Sequence, residues 1–265
     1  MADKELRDNV SRVKASSPLG KSVFVGLRAA DVVWQYNLIS RGWAGQFIEK
    51  LGGRGLRHPV GLGPGALAQI NPYLGLVNAF ALGSAVKQII HIIFVSEQEM
   101  PTGSAIAIPL FNTIFNTLNT LFAIWTVTSP ITSSNTQLTT FETIATNPLI
   151  AIGATAYFIG IIAEAVSEFQ RKAFKADPAN KGQPYAGGLF SLARNINYGA
   201  YTVWRAGYAL ACGGLSLGAV TFSFFFYDFA ARGVPVLEKY MVERYGEKYL
   251  AIKERVKYTL IPGIY

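Results

Sequence analysis

The chain has 265 residues, of which 51% are hydrophobic and 13% aromatic, while only 15% carry a charge. Soluble domains carry roughly a quarter charged residues, so the deficit argues against an ordinary solvated surface. The formal net charge of +8 comes with no nucleic-acid-binding motif, and its clustering fits membrane topology and anionic headgroups rather than nucleic acid.

Residues 1–22 are polar and mixed in charge with no apolar core, so they read as a solvated arm rather than a signal peptide. Residues 23–40 are apolar and aromatic but contain Arg28 and Asp31, which suits either an interfacial helix or a poor span. Residues 51–72 include GGRGLRHPVGLGPG, a composition that favours turns. Residues 76–95 form a candidate span in spite of Lys87 and His91. From residue 88 to residue 170 there is no Lys or Arg at all. Within that stretch, residues 104–128 and 147–165 are each long enough to cross a hydrocarbon core of about 30 Å as helices. Residues 199–231 suffice for a tight pair of short spans broken around Gly213-Gly214. The expected fold is all-α, a polytopic transmembrane helical bundle of about 5–7 spans. Residues 1–75 would supply the arm and an interfacial or first membrane segment, and residues 76–265 the main membrane domain. The single Cys212 lies in an apolar run, so neither a disulfide framework nor a cysteine metal site is expected.

Topology follows by parity. The loop 129–146 carries no Lys or Arg and belongs on the outer side, which puts the basic 171–194 segment on the cytosolic side. A hairpin through 199–231 returns the chain to that side, so the 168–198 segment and the tail from Arg232 should meet. An N-terminus on the same side needs residues 23–40 to cross, at the expense of placing Arg41, Lys50, Arg54 and Arg57 outside.

Polar chemistry concentrates in residues 168–201. Arg171 and Lys175 are four residues apart, hence on one face of a helix, and could hold a phosphate or simply form a solvated charge cluster. Asp177-Pro178-Ala179-Asn180-Lys181-Gly182 is a turn by composition, and Gly187-Gly188 permits close backbone approach. Arg194-Asn195-Ile196-Asn197-Tyr198 opens the next span, as a cap or as a binding motif. Elsewhere, Asn112, Asn116 and Asn119 recur along one helical face; they could line a substrate cavity or bond neighbouring helices. Glu97 and Glu99 sit at a membrane boundary. Glu164 falls inside a span, where it could contact substrate, snorkel, or pair with Arg171. No spacing suggests a metal site.

In order, Q-R-K-x-x-F-K, D-P-A-N-K-G, G-L-F, R-N-x-N-Y, L-E-K-Y-x-x-E-R-Y-G-E-K-Y and Y-T-L-I-P-G-I-Y run from about residue 163 to 265. This series resembles the C-terminal region of the steroid 5α-reductase-like and sterol-reductase membrane proteins, including a branch of unassigned substrate. The resemblance implies an integral membrane enzyme, in the endoplasmic reticulum if eukaryotic. It would bind NADPH at a cytosolic loop and tail and reduce a carbon–carbon double bond of a lipophilic substrate. It implies cofactor contacts from Gln170, Arg171, Lys175, Arg194, Asn197, Tyr198, Glu238 and Tyr245. In that reductase, proton donation or carbonyl polarisation would fall to Tyr198, Tyr201 or Glu99; the candidate substrate contacts Asn112, Asn116, Glu97 and Glu164 come from the residues themselves rather than from the matched motifs. Against the family pattern, Asn195 replaces a His, Ile196 a Pro, Tyr201 an acid and Val236 an Arg. The tail is also similar to isoprenylcysteine carboxyl methyltransferases, which implies S-adenosylmethionine as the alternative cofactor. A non-catalytic lipid-binding relative is the third reading.

Overall fold

A computed structural model describes residues 11–53, 71–128, 138 and 140–265. The turn-rich residues 54–70, with Arg54 and Arg57, and most of the 129–139 loop lie outside the described residues. The described residues contain helices and no strand: α1 (Pro18–Ser40), α2 (Gly45–Lys50), α3 (Pro72–Ile90), α4 (Thr102–Thr128), α5 (Phe141–Thr146), α6 (Pro148–Ala176), α7 (Ile196–Asp228), α8 (Val234–Tyr245) and α9 (Glu247–Arg255). Four helical stretches are long and apolar enough to cross a membrane: Pro72–Val95, Thr102–Thr128, Pro148–Ala176 and Ile196–Tyr245. By length and composition they make this an integral membrane protein. Their starts are set by local chemistry. Pro72 and Pro148 occupy first-turn positions where a missing N–H costs nothing, and the preceding Asn71 and Asn147 side chains accept from the next free amides.

The long helices run between two ends of the bundle. At one end, Tyr73 at the start of α3 donates its phenol to the carbonyls of Ala211 and Cys212, at 2.8 and 3.3 Å. Thr126 near the end of α4 donates to the same Cys212 carbonyl at 3.1 Å. These bonds satisfy groups released where α7 breaks. Gly213 and Gly214 depart from helical geometry, and Gly214 has φ +71°, a left-handed value that glycine alone adopts at low cost. The chain then folds back. Leu210 packs against Gly218, Tyr201 meets Phe225 at a ring separation of 5.2 Å, and Tyr198 stacks on Phe229 at 4.6 Å. Helix α7 is therefore the expected pair of short passes, turned at Gly213-Gly214.

Helix α1 settles the open choice for residues 23–40. Its first turn abuts Met100 at the basic end, where a Cβ on Gly20 would collide with the Met100 carbonyl. The chain beyond α1 reaches the opposite end, where Trp125 donates to the Leu51 carbonyl at 3.1 Å. The helix thus runs the length of the bundle against α4 and α3. Its charges turn inward: Arg28 and Asp31 are buried and paired at 2.7 Å. With α1 counted, four long helices precede the 171–194 segment, and the arm, that segment and the tail share one end.

Between α6 and α7 the backbones approach closely. A Cβ on Gly153 would lie 2.6 Å from the Gly207 carbonyl oxygen, so a larger residue would prise the pair apart. An aromatic core of Phe80, Tyr157, Trp204 and Tyr208 fills the adjacent layer.

Candidate functional site

The basic end gathers three segments far apart in sequence. Helix α6 continues past the expected boundary at residue 165 to Ala176, so Arg171 and Lys175 do share a helical face. The Asp177 side chain then accepts from the Ala179 amide at 2.9 Å and turns the chain. The Gln170 carbonyl oxygen accepts from the Leu189 amide at 2.9 Å beneath Gly188, whose φ is +52° and where a Cβ would collide with that same Gln170 amide. Gln170 is thus a brace for the 187–191 turn.

Arg194 is the centre of the site. One terminal nitrogen, Nη1, donates to the carbonyls of Val256 and Lys257, at 2.6 and 3.1 Å. The other, Nη2, reaches Glu238 Oε1 at 3.1 Å and Thr259 Oγ1 at 3.0 Å. Backbone amides add to this clasp, with Arg194 donating to Tyr258 and Asn195 to Thr259, at 3.0 and 2.8 Å. Gly199 is required here, because a side chain would strike the Leu260 carbonyl. The tail thus closes onto the start of α7, the meeting that parity anticipates. Glu238 also accepts from Lys253 at 2.8 Å.

A groove of about 620 Å³ opens beside this clasp, lined among others by Arg194, Glu238, Lys239, Glu243 and Lys253. Its named charges are three cations and two carboxylates, close to balance. Two buried donors, Nε of the groove residue Arg194 and Nδ2 of the adjoining Asn195, make no hydrogen bond among the described residues. Asn195 stands at the N-cap position of α7 but makes no side-chain cap bond. Tyr249, which packs behind the groove, has its phenol pushed up to about 12 by burial and then by the charge of Glu238.

Tyr198 and Tyr201 stand between this groove and the membrane interior. Tyr198 lies flat on Phe229, with an interplanar angle of 10°, and Phe229 precedes Ala230 at the groove wall. The Tyr201 phenol oxygen accepts from Arg205 Nε at 3.0 Å. Asn197 turns the other way and donates to Glu168 at 2.8 Å; Glu168 also pairs with Arg171. Arg171 therefore already has a carboxylate partner, and its guanidinium lies 5.7 Å from the Phe190 ring. Lys175 is exposed among the cations Arg171, Arg244 and Lys14. Tyr245 packs with Tyr249 and Ile252 and lies under the Arg244 guanidinium.

Other expected site residues sit apart from the groove. Glu99 accepts from Ser11 at 2.8 Å, and its amide donates to Val13 at 3.0 Å; Glu97 pairs with Lys14. Both carboxylates pin the N-terminal arm. Glu164 bonds Lys87 and Trp204 Nε1 rather than Arg171, the latter bond 2.7 Å long, because Glu168 has taken Arg171. Asn112 and Asn116 are buried and join α4 to its neighbours: Asn112 accepts from Gln88 and Arg205, and Asn116 donates to Asp31 at 2.8 Å. Sequence reading passed over Glu168 and Arg205. The i,i+4 spacing of Glu164 and Glu168 was the available signal for the first.

The DUF1295 family, described as proteins of unknown function, matches residues 98–256. The probable O-methyltransferase ustE of Ustilaginoidea virens is 38% identical over 241 residues, covering 89% of this chain and 83% of the relative. No solved structure matches the chain significantly.

Proposed function

From the premise that this chain belongs to the DUF1295 family, we propose that it is a membrane-embedded methyltransferase. It would use S-adenosylmethionine to methylate an oxygen of a lipophilic substrate. The observation that carries this reading is the 38% identity to a probable O-methyltransferase across almost the whole chain. The chemistry of the groove supports it. S-adenosylmethionine bears a sulfonium, an ammonium and a carboxylate and no phosphate, which suits a lining of nearly balanced charge. The unpartnered donors Arg194 Nε and Asn195 Nδ2 fit a ligand carboxylate, and Glu238 fits ribose hydroxyls or an ammonium group.

When bound, the cofactor supplies an electrophilic methyl group. The protein holds its polar parts through Arg194 and Glu238, whose positions the tail fixes. The stacked Tyr198 and Phe229, with Tyr201 behind them, keep water from the path between groove and lipid, while the substrate arrives laterally from the bilayer. The basic end would face the cytosol, the source of the cofactor.

An NADPH-dependent reductase, first in order from the C-terminal motifs, is the second reading. The observation that favours it is the cation cluster of Arg171, Lys175, Arg244 and Lys14, which suits phosphates. Arg171 is compensated by Glu168, however, so one of the two expected phosphate ligands is already engaged. Incubating purified protein with methyl-labelled S-adenosylmethionine and a membrane lipid extract tests the first reading. Label in the lipid fraction, lost on Glu238→Gln, is expected; no transfer, together with NADPH-dependent reduction of an enone lipid, overturns it.

A further inference from the structure

Arg205 lies deep in the bundle, 1% exposed, and no described carboxylate pairs with it. Nine residues separate it from Ile196, roughly 14 Å along the axis of α7. Its acceptors are neutral: the Tyr201 phenol at 3.0 Å, Asn116 Oδ1 at 3.5 Å and Asn112 Oδ1. Aromatic rings enclose the rest, with Trp204 at 4.4 Å, Tyr201 at 5.2 Å, Phe225 at 5.8 Å and Phe115 at 5.9 Å from the guanidinium carbon.

The nearby Asp31 carboxylate is already occupied. Its Oδ2 accepts from Arg28 at 2.7 Å and Asn116 at 2.8 Å, and its Oδ1 accepts from Gln35 at 2.9 Å. The cluster therefore holds two guanidiniums against one carboxylate. A buried, uncompensated guanidinium is costly, and rings and amides offset that cost only in part. Two further polar atoms of the same cluster, Arg28 Nε and Gln88 Oε1, have no hydrogen-bond partner among the described residues. Intramembrane charges of this kind are functional sites more often than structural ones.

We propose that Arg205 anchors a carboxylate carried by the lipophilic substrate, a group distinct from the one that reacts near the groove. This names the substrate class for the methyl-transfer reading above and rests on it for the word substrate. Access runs along the seam between α4 and the second pass of α7. That seam is closed by ring contacts, Phe115 with Phe224 and Phe225 and Phe111 with Phe225, and Phe224 is half exposed on the lipid side. Rings on rotatable side chains can part where interlocked backbones cannot. The same wall continues through Tyr201 and Phe229 to the groove, so one molecule could present its acid to Arg205 and its reacting end to Tyr198.

The test is calorimetric titration of the whole protein in a nonionic detergent with laurate and with lauryl alcohol, with no cofactor present. Laurate should bind about tenfold tighter than the alcohol, the range of a charge-assisted hydrogen bond, and Arg205→Gln should abolish the preference. Asn112→Asp places the missing anion within the protein, so it should raise the melting temperature and abolish the preference too; it decides the matter if Arg205→Gln does not fold. Equal binding, binding of neither compound, or a preference that survives Asn112→Asp overturns the proposal. A parallel titration with S-adenosylmethionine keeps the two readings separate: laurate preference without cofactor binding leaves the anchor standing and removes the methyl-transfer reading.

Discussion

Arg194 and Glu238 lie 3.1 Å apart, though 44 residues separate them in sequence. This pair joins the start of the last membrane hairpin to the first helix beyond it. Because the same guanidinium also holds two tail carbonyls, the groove and the tail form together or not at all. Arg194→Ala leaves those carbonyls and Glu238 short of a donor, at a cost of about 2–4 kcal/mol. Arg194→Lys should recover little of it, because a single ammonium cannot span the fork. Thermal unfolding in detergent reads the difference, and a lysine variant as stable as the parent would show that the fork geometry does not matter.

Gly199 offers a change that leaves every charge in place. In Gly199→Ala the methyl group meets the Leu260 carbonyl and the tail must shift, at a cost of roughly 1–3 kcal/mol as for other overpacked sites. Limited proteolysis should cut the 256–265 segment faster than in the parent while the membrane helices stay intact. Unaltered cleavage would mean that the tail is not clasped there.

The intramembrane network gives a prediction of opposite sense for two neighbouring asparagines. Asn116→Leu removes a donor to buried Asp31 and should destabilise by about 2–3 kcal/mol, the cost of an under-bonded buried charge. Asn112→Asp supplies a carboxylate to Arg205 and should stabilise. Equal effects of the two substitutions on the melting temperature would count against the charge imbalance on which the anchor rests.

Acid should release the N-terminal arm. A hydrogen bond from Lys14 is the main cause holding the Glu97 carboxyl below its ordinary range, with the charges of Lys14, Lys172 and Lys175 adding to it. A carboxylate so depressed contributes stability above its unfolded value, roughly pH 4.3. That contribution is lost as the pH falls through the lower folded value. The pair is exposed, with side-chain exposures of 68% and 54%, so it adds less than about 1 kcal/mol. Protease accessibility of residues 11–17 should rise below that pH, and Glu97→Gln should show raised accessibility already at neutral pH.

The sequence made the membrane architecture legible because lipid imposes length and apolarity directly. The stretch without Lys or Arg before Arg171, the break at Gly213-Gly214 and the shared face of segment and tail all follow from that rule. Helix α1 was harder. Arg28 and Asp31 lower its hydropathy, and only their pairing with each other and with α3 and α4 lets it run through the bundle. Partnerships among charges were the least legible part. Arg171 reads as a free cation until Glu168, one turn back, is seen to hold it, and Arg205 looks like an isolated blemish in an apolar run. The asparagine stripe of α4 was visible, yet its partners lie on α1, α3 and α7, which no spacing along α4 reveals.

The most direct test of the central claim is a paired calorimetric titration of the purified protein with S-adenosylmethionine and NADPH, repeated on Glu238→Gln. The account predicts saturable binding of S-adenosylmethionine to the parent, at least tenfold weaker in the variant, with NADPH failing to compete. Saturable binding of NADPH alone, weakened by reversing the charges of Arg171 and Lys175, would contradict it and return the site to a reductase.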